Sequence, residues 1–267
     1  MKTPITYYGG KQRLAKTIVK CISAHDVYIE PFFGGGAVFF EKEKSITEVI
    51  NDLNDDVVNF YRVCKTDFGI LRLLIQSTPH SRKVHREAQY VLKNAEHFST
   101  IKRAWACWVQ TNMSFASKIY GGFGYEKKGN RTVIKTFKKR SNFTRELLDR
   151  LELTQIECND ALKVITTRDC KQAFIYADPP YFNSDMGHYG GYTERDFEGL
   201  LTTLSKVEGK FILSSYPSDL LSRFTKKNGW NVKSLRQIVS ASNANKNVRE
   251  KQKIEVLTAN YPLPDLG

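Results

Sequence analysis

Residues 177–182 read Ala-Asp-Pro-Pro-Tyr-Phe and directly follow the apolar run Ala173-Phe174-Ile175-Tyr176. The run predicts a buried strand that two consecutive prolines, Pro179 and Pro180, stop abruptly. Proline locks φ and has no N–H, so the carbonyls of Asp178 and Pro179 are kept out of a regular ladder or helix. Asp178 then stands at the carboxyl end of a strand, where open α/β sheets bind ligands. The aromatic Tyr181 follows at once. A carboxylate, a fixed carbonyl and a ring make a rigid platform of acceptors beside a stacking face. That suits a flat base with an exocyclic amine, whose two N–H groups need two acceptors.

A second cluster lies near the start. Val27-Tyr28-Ile29-Glu30 predicts a short strand that runs through Pro31 into Phe32-Phe33-Gly34-Gly35-Gly36, and Ala37 to Lys42 then reads as the first turns of a helix. Glycines at such a turn let a ligand approach the backbone and supply φ > 0. Thr47-Glu48-Val49-Ile50 predicts a second strand ending at Asn51-Asp52, completing a βαβ unit. An acid that binds a ribose is expected about 20 residues after the glycine turn, and Asp52 lies 18 residues after Gly34. The dinucleotide pattern GxGxxG is missing, which argues against a nicotinamide enzyme.

These clusters need a scaffold, and the rest of the chain predicts one. Asp55-Asp56 suit a helix N-terminus, Thr154 to Cys158 a strand ending at Asn159-Asp160, and Ala161 to Thr167 a helix. Asp196 to Val207 reads as helix and Lys210 to Tyr216 as strand. Val232–Val239 and Lys253–Thr258 predict a terminal hairpin, with a polar, basic segment 240–252 between them. The stretch 183–192, with Gly187, Gly190 and Gly191, reads as a lid. Residues 61–150 differ in character: helices near 81–96 and 99–112, then the turn Lys128-Gly129-Asn130 and an alternating Thr132 to Phe137 that predicts a β-hairpin.

The net charge is +13 over 267 residues, and it is uneven. Residues 61–150 hold 19 Lys+Arg against 6 Asp+Glu, whereas the remainder holds 22 of each. One third of the chain carries the whole excess, which points to a polyanionic partner. The candidate contacts are Lys118, Tyr120, Tyr125, Lys127, Lys128, Arg131, Lys135, Lys138, Lys139 and Arg140, basic groups with aromatics between them. Five cysteines without a CxxC pair and five histidines without ligand spacing predict neither a disulfide frame nor a metal site. No run approaches 18 apolar residues. A cytoplasmic location and no membrane contact follow as expectations.

The motifs carry a resemblance. Asp-Pro-Pro-Tyr is similar to the catalytic motif of the methyltransferases that modify exocyclic amines of bases. Glu30-Pro31-Phe32-Phe33-Gly34-Gly35-Gly36 resembles their S-adenosylmethionine motif, and Tyr7-Tyr8-Gly9-Gly10-Lys11 resembles the aromatic-x-Gly-Gly-Lys segment of Dam-type adenine methyltransferases. Either Tyr7 or Tyr8 can hold the aromatic position, and the tryptophan common there is missing. With the Asn51-Asp52 strand end, four motifs stand in the order of the alpha-group adenine-N6 DNA methyltransferases.

The resemblance implies a Rossmann-like methyltransferase domain (1–60 and 151–267) with an inserted, mainly helical plus β-hairpin target-recognition domain (61–150). It implies S-adenosylmethionine held by Tyr7, Tyr8, Gly10, Lys11, Glu30, Pro31, Phe32, Gly34, Gly36, Asp52, Asn159, Asp160 and Asp178. Asp160 either accepts from the cofactor's adenine or only caps the helix after it. Asp178, Pro179, Pro180 and Tyr181 would act on an adenine flipped out of duplex DNA. A monomer is expected, with a cognate restriction endonuclease as partner in a host system. The alternatives are an RNA adenine methyltransferase and an inert nucleic-acid-binding relative.

Overall fold

The computed structural model describes residues 1–182, 191–238 and 252–265. In chain order the elements are α1 (Ala15–Cys21), β1 (Val27–Glu30), β2 (Thr47–Asn51), α2 (Asp55–Thr66), α3 (Phe68–Ser77), α4 (Arg82–Lys93), α5 (Thr100–Met113), α6 (Arg131–Ser141), α7 (Arg145–Leu151), β3 (Gln155–Glu157), α8 (Ala161–Arg168), β4 (Ala173–Ala177), α9 (Glu194–Leu204), β5 (Lys210–Ser215), α10 (Asp219–Asn228), β6 (Asn231–Ile238) and β7 (Gln252–Ala259). They fall into two compact units, residues 1–19 with 33–160 and residues 20–32 with 161–267.

In the first unit β2 and β3 pair in parallel, with Asn51 opposite Glu157. Asn54 caps α2 by accepting from the Asp56 N–H, and Asp55 and Asp56 fill its first turn, where carboxylates complement the helix dipole. α5 is buried from Ala104 to Met113, Trp105 and Trp108 included. A helix covered on all sides is a central one, and α2, α3, α4 and α6 pack around it. The helices expected at 81–96 and 99–112 are α4 and α5.

One buried ion cluster braces this unit. Arg150 of α7 donates through both Nη atoms to the Glu48 carboxylate of β2 and from Nη2 to the Phe39 carbonyl. Lys42 Nζ donates to the same Glu48 at 2.6 Å. Burial alone would raise the Glu48 pKa; the bonds and charges of Arg150 and Lys42 outweigh it and bring it below the usual value.

The second unit orders its strands β1-β4-β5-β7-β6. β1, β4 and β5 run parallel, with Ile29 opposite Ile175 and Ala177 opposite Leu213. β7 is antiparallel to both β5 and β6, so the expected terminal hairpin is present. All five residues of β4 are buried, which explains an apolar run without alternation. Thr193 and Asp196 form both halves of a capping box at α9, and α10 ends on Gly229 at φ 64°, a left-handed cap that suits glycine. The architecture is mixed α/β and Rossmann-like.

Two expectations fail. Residues 131–141 form helix α6, not a β-hairpin. The Asn130 carbonyl accepts from the Ile134 N–H, and Glu126 accepts from the Arg131 N–H, so the turn feeds a helix. Thr136 is buried and bonds back to the Thr132 carbonyl one turn earlier, while Val133, Ile134 and Phe137 lie exposed. The apparent alternation was a helix with a small polar inner face. Second, Ala37 to Lys42 makes turns and no regular helix. Val38, Phe39 and Phe40 are all buried, and three consecutive buried residues do not fit the single apolar stripe of a surface helix. The expected lid lies mostly, and the basic segment 240–252 almost wholly, outside the described residues.

Candidate active site

In the first unit the glycine turn is held from three sides. The Gly34 N–H donates to Asp52 Oδ2 at 2.7 Å, and the Asn54 N–H donates to Asp52 Oδ1 at 2.9 Å. The Tyr61 hydroxyl donates to the Gly34 carbonyl at 3.1 Å. The Phe33 N–H donates to the Asn51 carbonyl. Gly34 and Gly36 adopt φ of 48° and 62°. A Cβ on Gly34 would meet the Tyr7 ring at 2.8 Å, and one on Gly36 would meet the Phe33 ring at 2.4 Å. Both positions therefore need glycine for conformation and for space.

The two tyrosines pack differently. Tyr7 packs its ring on Gly34 and its Cβ near Gly35. Tyr8 instead lies beneath the Lys118 ammonium, 5.6 Å from the ring centre. The Tyr7 carbonyl accepts from the Gly10 N–H, and the buried Lys11 turns its Nζ back to the Gly9 carbonyl.

Asp52 pKa is raised, by burial above all, with the N–H groups of Asn54, Gly34 and Leu53 opposing the rise. A carboxylate offers about four acceptor sites, so Asp52 can brace the turn and still accept from a hydroxyl. Asn51 lies next to it and bonds the backbone of Asn159 in both directions. Asp160, which follows, is exposed. The strand ends of β2 and β3 are thereby locked together with an exposed carboxylate beside them. Sequence reasoning named Asn51 only as part of the Asn51-Asp52 strand-end motif and assigned no role to Tyr61.

In the second unit Asp178 is half-buried and Pro179 buried at the end of β4. The Tyr181 hydroxyl lies 3.2 Å from Asp178 Oδ1 and also contacts Glu255 Oε1 of β7. The Tyr181 ring sits 4.4 Å from that of Tyr216, centre to centre. Glu30 accepts from the Tyr28 hydroxyl at 2.7 Å. Burial first, then the charges of Asp178, Glu30 and Glu255, push the Tyr176 hydroxyl well above its ordinary pKa. Glu255 was missed because it sits 74 residues beyond Tyr181.

The candidate nucleic-acid contacts divide. Lys127, Lys128, Arg131 and Lys138 are exposed, as are Tyr120 and Tyr125. Arg140 donates to the carbonyls of Gln76 and Thr78 at the end of α3. Lys139 donates to the Thr3 carbonyl at 2.6 Å, and burial, with Lys135 and Lys2 nearby, lowers its pKa to about 7. Lys135 lies 3.4 Å from the Ser117 hydroxyl. The loop before α6 is fixed by a bridge between Ser114 and Phe123. Ala116, Ser117 and Tyr120 there take positive φ, a cost of order 1–3 kcal/mol each that clusters at functional sites.

Residues 7–254 match the family model described as D12 class N6 adenine-specific DNA methyltransferase. The chain belongs to this family. Among its relatives, the type II methyltransferase M1.LlaDCHI of Lactococcus lactis subsp. cremoris is 27% identical, over 71% of this chain and 69% of its own. The type II methyltransferase M.MjaIII of Methanocaldococcus jannaschii is also 27% identical, over 87% and 90%. A solved SAM-dependent methyltransferase from Agrobacterium tumefaciens aligns over 93% of this chain and 59% of its own, at 11% identity and a TM-score of 0.40. As a D12-class enzyme the protein transfers a methyl group from S-adenosylmethionine to the N6 amine of adenine in DNA.

Proposed function

We propose that the protein is a Dam-type, alpha-group member of the D12 class that modifies a flipped-out adenine in duplex DNA at a specific site, with Asp178-Pro179-Pro180-Tyr181 as the catalytic segment. The observation that carries this is the Asp178 carboxylate at the end of a fully buried parallel strand, beside the Tyr181 ring. The cytoplasm, a monomer and a cognate endonuclease complete the reading. The type II names of both relatives support the last.

The glycine turn and Asp52 fit S-adenosylmethionine. The positive-φ glycines carry no side chain of their own and set an aromatic ring, Tyr7, against the bare turn, and Asp52 keeps acceptor capacity for a ribose hydroxyl. Tyr7, Gly10, Lys11, Gly34, Gly36, Asn159 and Asp160 of the first unit serve the cofactor in this reading, and Tyr8 faces Lys118. The cofactor supplies an electrophilic methyl group on a sulfonium.

This chain's residues do the rest. An exocyclic adenine amine is a poor nucleophile because its lone pair is delocalised into the ring. The Asp178 carboxylate and the Pro179 carbonyl accept its two N–H groups and turn the lone pair toward the methyl. As the nitrogen becomes tetrahedral it gains positive charge, which those acceptors stabilise. Tyr181 stacks on the ring and holds the amine in line, so proximity is the main lever. Lys127, Lys128, Arg131 and Lys138 meet phosphates.

The test is methyl incorporation from tritiated S-adenosylmethionine into duplex DNA, single-stranded DNA and RNA, with the modified bases mapped by single-molecule sequencing. N6-methyladenine in one short duplex sequence is expected, and it should vanish in Asp178→Ala. Preferential labelling of RNA, or methylation without Asp178, would overturn the proposal.

A further inference from the structure

The Tyr181 hydroxyl carries one hydrogen and stands between two carboxylates, Asp178 Oδ1 at 3.2 Å and the closer Glu255 Oε1. Glu255 is buried on β7, and Ser214 of β5 donates to the same Oε1 at 2.6 Å. The β5–β7 ladder fixes this meeting, since Ser215 pairs with Val256 and Ser214 with Leu257. Burying a carboxylate is costly without hydrogen bonds that satisfy it. The Tyr181 and Ser214 hydroxyls supply hydrogen bonds of that kind to Glu255.

We propose that Glu255 is a positioning residue for methyl transfer: it takes the Tyr181 hydrogen and so fixes the Tyr181 ring while keeping that hydrogen off Asp178. Donation from Tyr181 would occupy a lone pair of Asp178 and weaken it as an acceptor for the target amine. With Glu255 in place, the hydrogen points at β7 and does not compete with the base for Asp178 Oδ1. Ser214 holds the Glu255 carboxylate in the orientation this requires. The inference rests on the assignment of Asp178 and Tyr181 to methyl transfer.

The test is a double-mutant cycle read by single-turnover transfer from tritiated S-adenosylmethionine to genomic DNA of a methylation-deficient strain. Glu255→Leu keeps the volume and removes the acceptor. It should slow transfer by roughly 10-fold to 100-fold and leave the calorimetric affinity for S-adenosylmethionine unchanged, the pattern of an interaction made in the transition state. Glu255→Gln keeps one acceptor oxygen and should recover most of that loss. In a Tyr181→Phe background, Glu255→Leu should cost less than about 3-fold further, because residues acting through one bond are not additive. Multiplying effects in the double mutant, or full rate in Glu255→Leu, would overturn the role. Should Glu255→Leu not fold, Glu255→Ala, which also removes the acceptor, takes its place in the cycle with Tyr181→Phe and the same criterion decides. Asp178→Ala is the control: its retained activity would sink the site itself, whereas a dead Asp178→Ala beside a fully active Glu255→Leu would sink only this inference.

Discussion

The Asn51 side chain exchanges two hydrogen bonds with the backbone of Asn159, donating to its carbonyl oxygen at 3.0 Å and accepting from its N–H at 2.9 Å. The two residues are 108 positions apart. The pair fixes the end of β3 against the end of β2, next to Asp52, and so sets where Asp160 stands.

Asn51→Ala should leave both Asn159 backbone groups without this partner. A buried unsatisfied group costs about 1–3 kcal/mol, so thermal unfolding should shift downward. Calorimetry should show weaker S-adenosylmethionine binding as Asn159 and Asp160 lose their register. Unchanged affinity would mean that the pair only braces the two strands.

Asp178→Ala should cut turnover by about 100-fold to 1000-fold, by analogy with the loss of one oriented group in a closed site. Cofactor affinity should remain close to wild type, because Asp52 and the glycine turn are untouched. Rapid-quench transfer and calorimetry separate the two readings.

Exposure ranks the candidate phosphate contacts among the basic residues. Neutralising Lys127, Lys128, Arg131 and Lys138 should weaken binding to every duplex and lower the log–log salt slope by roughly 0.9 per lost phosphate contact. Lys139, with its pKa at about 7, and Arg140, bound to Gln76 and Thr78, should instead lower stability when replaced and barely move the slope. Fluorescence titrations at several salt concentrations, with melting curves, check both halves.

Glu48→Ala should destabilise the first unit strongly, by about 3–5 kcal/mol, because Arg150 and Lys42 would remain buried without their carboxylate. The pH dependence has a definite sign. The folded pKa of Glu48 lies below its unfolded value, so its contribution is present above the unfolded pKa and lost as pH falls through the folded one. Acid melting curves of wild type and Glu48→Gln should converge.

His80 and His85 give a second window. Burial lowers both pKa values, and Arg82 and His80 lower that of His85 further. The unfolded chain therefore binds protons first as pH drops below about 6.5, and stability should fall from there. His85 Nε2 lies 2.8 Å from the Ser114 hydroxyl, beneath the bridged loop. His85→Gln should flatten the melting temperature between pH 7 and 5.5, and an equally steep curve would remove His85 from the account.

The sequence by itself determined the chemistry and its order along the chain. Prolines stop a strand wherever they fall, so Asp178 and Tyr181 were legible as a strand-end site, and the spacing from Gly34 to Asp52 followed from the length of a strand–turn–strand unit. The terminal hairpin was legible from its two apolar runs. Tertiary structure alone decided what depends on contacts far apart in the chain. Thr132 to Phe137 alternates as a strand would, yet burial of Thr136 on one face makes it a helix. Tyr7 and Tyr8 are chemically alike, and only packing on Gly34 tells them apart. Lys139 and Arg140 look like their exposed neighbours until Thr3, Gln76 and Thr78 claim them. Glu255 comes to Tyr181 because β7 runs antiparallel beside β5, and a hydrogen bond across that ladder leaves no local trace in the order of residues.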